Sequence, residues 1–157
     1  MAIELTSGTG GRFRVLDEGD YTFYIYDVVF KEDFGHLQIK YVTQDGNTTI
    51  EFLRLLKEDG SNNDWARDVF SDTAHAALGD DVERVENPAE LIGHYINATV
   101  THNVIDSKDK PGETITFVNL IDKTQSDGFD GEPSDKCLAI IKKAESKYVD
   151  LGDLLDD

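Results

Sequence analysis

The sequence is poor in the groups that build redox and metal centres. It holds one cysteine, Cys137, which excludes an internal disulfide and a thiolate metal cluster. Its four histidines do not gather. His94 and His102 share strand parity, but eight residues at about 3.3 Å each separate them far beyond a shared ion. His36 and His75 fall in other elements. No apolar run approaches the roughly eighteen residues of a membrane-spanning helix. MAIELTSGTGGRFRV lacks the basic segment and apolar run of a signal peptide, so a soluble, cytoplasmic protein without membrane contact is expected. No P-loop, Gly-x-Ser-x-Gly or Cys–His pattern is present. DGSNND (59–64) starts like a calcium loop, but Asp64 stands where the loop needs Gly and Phe70 where it needs Glu. Carboxylates are too numerous for one pair to stand out as acid and base. We therefore expect no catalytic residues, no cofactor and no metal.

Basic residues are also scarce, 15 against 32 acidic ones, for a net charge of −17. Such a chain repels phosphate polymers at long range. The excess is localised, however. Residues 58–90 carry ten acids against Arg67 and Arg84, and 126–157 carry nine acids against four lysines. The remainder is only mildly acidic, with thirteen acids against nine bases.

What is present is a packed body rich in strands. Fifteen aromatic residues in 157 are enough for a single core. Residues 1–18 read as a mobile arm or short edge segment. Three strand-like runs follow at 20–30, 34–43 and 47–56, the last introduced by the turn QDGN; short connections make them an antiparallel meander. In 61–79, Trp65, Val69, Phe70, Ala74, Ala77 and Leu78 recur at helical spacing, with Gly79 as the stop and Asp64, Asp68 and Asp72 toward solvent. ENPAELIG (86–93) reads as a further turn with Asn87 as N-cap and Pro88 at the first position. Two more strands, 94–105 and 113–122, flank the polar loop DSKDKPG. TQSDGFDGEPSD (124–135) has linker composition, 136–149 is amphipathic, and the chain closes on DLGDLLDD.

Three meandering strands, a helix and a two-strand hairpin match the connectivity of an OB barrel. The expected fold is mainly β: a five-stranded OB-fold-like barrel over 1–123 with a helix between strands 3 and 4. A flexible linker (124–135) and a short amphipathic segment with an acidic tail (136–157) follow. A split sandwich or an α+β sheet has the same element order. In the first strand Tyr21, Phe23 and Ile25 point inward, and strict alternation would bury Asp27 as well. Either the strand bulges near Tyr26–Val28 and resets its parity, or Asp27 sits at the barrel rim.

Barrels of this kind bind oligonucleotides or oligosaccharides across strands 2 and 3, with loops 1–2 and 4–5 closing over the ligand. On single strands, aromatic rings stack on bases while Lys and Arg follow the phosphates. The candidate nucleic-acid contacts are Tyr24 and Tyr26 on strand 1, Lys31 in the first hairpin, and His36, Gln38 and Lys40 on strand 2. Arg54 and Lys57 lie on or just after strand 3, and Lys108 and Lys110 lie in the 4–5 loop. Strand 3 has two competing parities, Ile50, Phe52 and Arg54 against Leu53 and Leu55.

The frame Leu16–Val28 (L-x-x-G-D-Y-x-F-x-I-x-D-V), with ENPAELIGHYINATVTHN and ITFVNLID, resembles phage-encoded single-stranded-DNA-binding proteins of phages of Gram-positive bacteria. The resemblance covers roughly 1–123 and is most specific at 89–100. It implies an OB-like fold, a role in phage DNA replication or recombination, and the cytoplasm of the infected host as location. It supplies no site residues, which rest on the face argument alone. The tail, with Leu151, Asp153, Leu154, Leu155, Asp156 and Asp157, is similar to the acidic tips by which bacterial single-stranded-DNA-binding proteins recruit replication and repair partners. Those tips end in a hydrophobic residue, whereas this chain ends in two aspartates. The implied partners are single-stranded DNA, replication or recombination proteins, and a second copy of the chain through exposed strand edges. Two rival readings fit the same residues: an acidic protein-interaction or DNA-mimic module, and a carbohydrate-binding barrel.

Overall fold

A computed structural model describes residues 15–156, with side chains over 15–147. The expected arm lies outside the described residues as far as residue 14. The tail side chains of Leu151, Asp153, Leu154, Leu155 and Asp156, and the whole of Asp157, also lie outside them. Five strands form one antiparallel sheet: β1 (Gly19–Lys31), β2 (His36–Thr43), β3 (Thr48–Arg54), β4 (Tyr95–Asp106) and β5 (Thr114–Gln125). Helix α1 (Asp64–Leu78) stands between β3 and β4, and α2 (Asp135–Asp156) follows β5. The spatial order is β3-β2-β1-β4-β5, so β1 is central and β3 and β5 are edges.

β1 serves both halves of the sheet. Gly19–Tyr24 pair with β4, while Phe23–Lys31 pair with β2. Between Ile25 and Asp27 the register with β2 shifts, leaving Tyr26 as an extra residue. This bulge resets the parity. Val28 turns into the core opposite Ile39, and Asp27 turns to the outer face opposite Lys40. Asp27 is buried there beneath α2 rather than in the core, and its charge is compensated. Its carboxylate accepts from the Val28 amide at 2.9 Å and pairs with Lys147 at 3.4 Å and Lys40 at 3.7 Å.

The core consists of Phe23, Ile25 and Val28 of β1, Leu37, Ile39 and Tyr41 of β2, Leu53 of β3, and Ile96 and Val100 of β4, with Leu91 and Ala66 and Ala76 of α1. At the start of α1 Asn63 accepts from the Ala66 amide, and Gly79 ends the helix as its sequence suggests. The Asn87–Glu90 capping box holds the 3-10 turn Pro88–Leu91 that leads into β4. One expectation fails here. Trp65, placed on the apolar stripe by its spacing, is 69% exposed, because the inward stripe of α1 runs through the next residue, Ala66, with Val69, Phe70, Thr73 and Ala77.

The edges β3 and β5 are not hydrogen-bonded to each other, so the sheet is open where a full barrel would close. They are joined instead by a buried ion pair. Lys123 Nζ of β5 donates to Glu51 Oε2 of β3 at 2.7 Å and to Thr73 Oγ1 of α1 at 2.7 Å. Tyr41 OH donates to Glu51 Oε1 at 2.8 Å. The Lys123 side chain is 3% exposed and that of Glu51 12%. A second bulge aims the lysine inward: Asp122 and Lys123 together oppose Ala98, and Asp122 has φ 51°, the sole non-glycine positive φ among the described residues. Burial first, and then the Glu51 charge and hydrogen bond, push the Tyr41 phenol well above its ordinary pKa.

Removing one partner of such a pair leaves a buried charge uncompensated. Lys123→Met is expected to cost about 3–5 kcal/mol in urea unfolding, and Lys123→Met with Glu51→Leu to recover most of that loss. Because the folded Tyr41 pKa is raised, its stabilising share is complete below the unfolded value near 10 and is lost as pH climbs through the folded value. In an alkaline titration followed by phenolate absorbance, wild type should therefore show one more tyrosine ionising together with unfolding than Tyr41→Phe does.

Candidate nucleic-acid interface

The outer face of β1, β2 and β3 is built in rows by the register. Lys31, His36 and Arg54 form the row nearest the β1–β2 turn, Val29, Gln38 and Phe52 the next, and Asp27, Lys40 and Ile50 the third. The parity of β3 is decided: Leu53 is buried, while Ile50, Phe52 and Arg54 face outward. Phe52 is 67% exposed in the middle of this face. Phe34, in the 3-10 turn Glu32–Phe34, is 66% exposed, and its ring lies 6.0 Å from that of His36. Lys31, Lys40, Arg54 and the two unburied rings thus share one surface, with Asp27 in its third row and Glu32 and Asp33 in the turn that carries Phe34.

Of the residues picked out in the sequence, the fold gathers Lys31, His36, Gln38, Lys40 and Arg54 on this face. Lys40 is partly engaged by Asp27. Lys57 lies past the end of β3, in a loop closed by the Leu56–Asn62 bridge, where its amide donates to Ser61. Lys108 and Lys110 are exposed but distant. β4 leaves β1 at the Gly19–Val100 pair and continues onward, so their loop lies beyond the opposite end of β1 from His36 and Arg54.

The two tyrosines have different surroundings. Tyr24 is half-buried, its ring edge-on to Tyr95 at 5.1 Å, and Tyr95 is in turn edge-on to Phe129 at 5.1 Å. α2 packs over β1 and β2 here. Burial first, then the charges of Glu145 and its other neighbours, raise the Tyr24 phenol pKa. Tyr24 is therefore part of the packing under α2 rather than an open platform. Tyr26 occupies the bulge, also half-buried, with its phenol raised by burial and then by Asp27.

Phe52 and Phe34 were missed by sequence reasoning. For Phe52 the available signal was the β3 parity, which turns on Glu51: a carboxylate on the same inward side as Leu53 looks forbidden until Lys123 is placed beside it. For Phe34 no signal existed beyond its place in a short hairpin connection.

At the other end of β1 lies a cleft of about 550 Å3 lined by Asp20, Asp45, Asp122 and Asp130 with the hydroxyls of Thr22 and Thr99. No lysine or arginine among the described residues lines it, in contrast to the β2–β3 face with Lys31, Lys40 and Arg54. Beyond it, the β4–β5 hairpin exposes Ile105, Ile115 and Phe117 on one side. Among the described residues no group of acidic, His or Cys side chains is arranged to hold a metal ion, and no helix is long and apolar enough to cross a membrane. No known protein-family profile matches the chain, and no curated protein is significantly similar to it.

The contrast between the two aromatic settings is measurable. Phe52→Ala should change thermal stability by less than about 0.5 kcal/mol, as for an exposed site. Tyr24→Ala should cost about 1–3 kcal/mol through lost packing with Tyr95 and α2.

Proposed function

We propose that the chain is a single-stranded-DNA-binding protein built on an OB-like, incompletely closed barrel. The observation that supports this most directly is the segregation of cations and exposed rings. On a chain of net charge −17, one sheet face brings Lys31, Lys40 and Arg54 together with Phe52, and His36 with Phe34. The face lies on β2 and β3, the strands on which OB-type barrels carry oligonucleotides.

In this reading successive bases stack on Phe52 and Phe34, each stack stabilising by about 1–3 kcal/mol, and sequence matters little because every base has a π-face. Arg54 and Lys31 meet phosphates, and Gln38 offers donor and acceptor to a base edge between them. Few phosphate contacts on an acidic chain make the salt dependence shallow for a DNA binder. The role belongs to phage DNA replication or recombination, as the sequence resemblance implies. The acidic C-terminus then serves to recruit partner proteins.

Titration of fluorescently labelled oligo-dT at low salt tests this reading. Wild type should bind, and Phe52→Ala should weaken binding about ten-fold or more. A wild-type chain that leaves oligo-dT unbound even at low salt ends the proposal. The aspartate-lined cleft favours a second reading, an acidic interaction module, which predicts that outcome together with binding of a lysine-rich peptide sensitive to Asp20→Asn and Asp45→Asn.

A further inference from the structure

The net charge of 126–157 conceals a division within α2. All four of its lysines, Lys136, Lys142, Lys143 and Lys147, fall in the stretch 136–147, where Glu145 is the single acid. This is the part of the helix that docks on the sheet. Cys137 is buried, and Ile140, Ile141 and Ala144 are half-buried, giving the inward stripe. The docking is specific at both ends. Ser134 donates its amide to the Gln44 carbonyl and accepts from the Cys137 amide. Gly46, at φ 91°, lets the Lys136 stem approach the β2–β3 turn: a Cβ there would stand 2.8 Å from that side chain. At the far end Lys147 reaches Asp27.

These contacts define which way the helix faces. Glu145 lies on the flank toward Tyr24, on the β1–β4 side. At about 100° per residue, Lys136, Lys143 and Lys147 fall within about 40° of one another on the opposite flank. That flank starts at the β2–β3 turn and runs for about 16 Å over β2 to Asp27 of β1, on the side turned toward β3. Lys136 and Lys143 are exposed, whereas Lys147 is held by Asp27. Lys142 lies about 120° away from Lys136, on the solvent side. α2 thus borders the outer face as far as the row of Asp27, Lys40 and Ile50, and Phe52 and Arg54 follow in the next rows toward the β1–β2 turn.

We propose that Lys136 and Lys143 of α2 hold phosphates of the single strand whose bases stack on Phe52, so that the helix extends the binding face toward the β2–β3 turn. The occupant follows from charge: two exposed ammonium groups spaced along a rail, beside an exposed ring and a guanidinium, complement a polyanion that carries aromatic bases. Asp27 has a definite part in this arrangement, because its pair with Lys147 fixes the rail against β1. This inference rests on the single-stranded-DNA reading of the same face.

The test uses the full chain and labelled oligo-dT over a series of salt concentrations. Lys136→Gln with Lys143→Gln should weaken binding about ten-fold or more at 50 mM salt. It should also reduce the slope of log K against log salt by about 1.4, from about 0.7 per lost phosphate contact. Lys142→Gln should leave both quantities unchanged, and all three proteins should melt at the same temperature. A double variant with the wild-type slope overturns the inference while leaving the DNA reading intact. An equal loss in Lys142→Gln also overturns it, as an effect of net charge alone. Absence of wild-type binding removes both.

Discussion

The buried pair between Lys123 and Glu51 is the constraint on which the rest depends. Two charges taken out of water are tolerated only when each finds a partner and its remaining hydrogen-bonding capacity is filled. Here Tyr41 and Thr73 complete the set. The pair joins the two edge strands that backbone hydrogen bonds leave apart, and it ties α1 to both. Its larger consequence is on the opposite face. With Glu51 turned inward, Leu53 is inward too, and Phe52 and Arg54 face out. The same network that replaces barrel closure therefore creates the exposed ring and guanidinium of the candidate interface.

A second charged group organises the outer face. Asp27 is buried by α2 rather than by the core, and the bulge at Tyr26 is what puts it there. Asp27 draws Lys40 and Lys147 to one place, and α2 covers Tyr24 and Val42 as it reaches that point. The face is thereby divided. One end is closed by packed aromatics, and the other stays open, with Phe52, Phe34 and the cations. Many of the acids lie elsewhere, on the exposed side of α1 and in the aspartate-lined cleft, while Glu32 and Asp33 flank Phe34. Segregation of this kind lets a strongly acidic chain gather Lys31, Lys40 and Arg54 on one face.

Much of the fold was legible in the sequence. The five strands, α1 with its Gly79 stop, the Asn87 turn and the break near Tyr26 all correspond to observed elements. The clean alternation of β2 placed Leu37, Ile39 and Tyr41 inside and His36, Gln38 and Lys40 outside. Trp65 misled because its bulk suggested a core position, whereas the inward stripe runs through the small Ala66 beside it. Tyr24 was legible as outward-facing, but not as covered, because the covering helix follows a segment that reads as linker. That segment instead lays Phe129 on Tyr95 and ties Glu132 and Ser134 to Gln44.

What the sequence by itself determined is local: periodicity, turn and cap chemistry, and the conflict that a carboxylate at position 27 imposes on its own strand. These rest on interactions within a few residues, whose physics any window of the chain contains. The parity of β3, the joining of the open edges and the division of the outer face were decided only in three dimensions. Each depends on a charge paired across a long stretch of chain, 72 residues from Glu51 to Lys123 and 120 from Asp27 to Lys147. Such pairs have no periodicity to betray them; they exist only once the sheet has brought the two charges within a few ångströms and excluded the water that would otherwise solvate them.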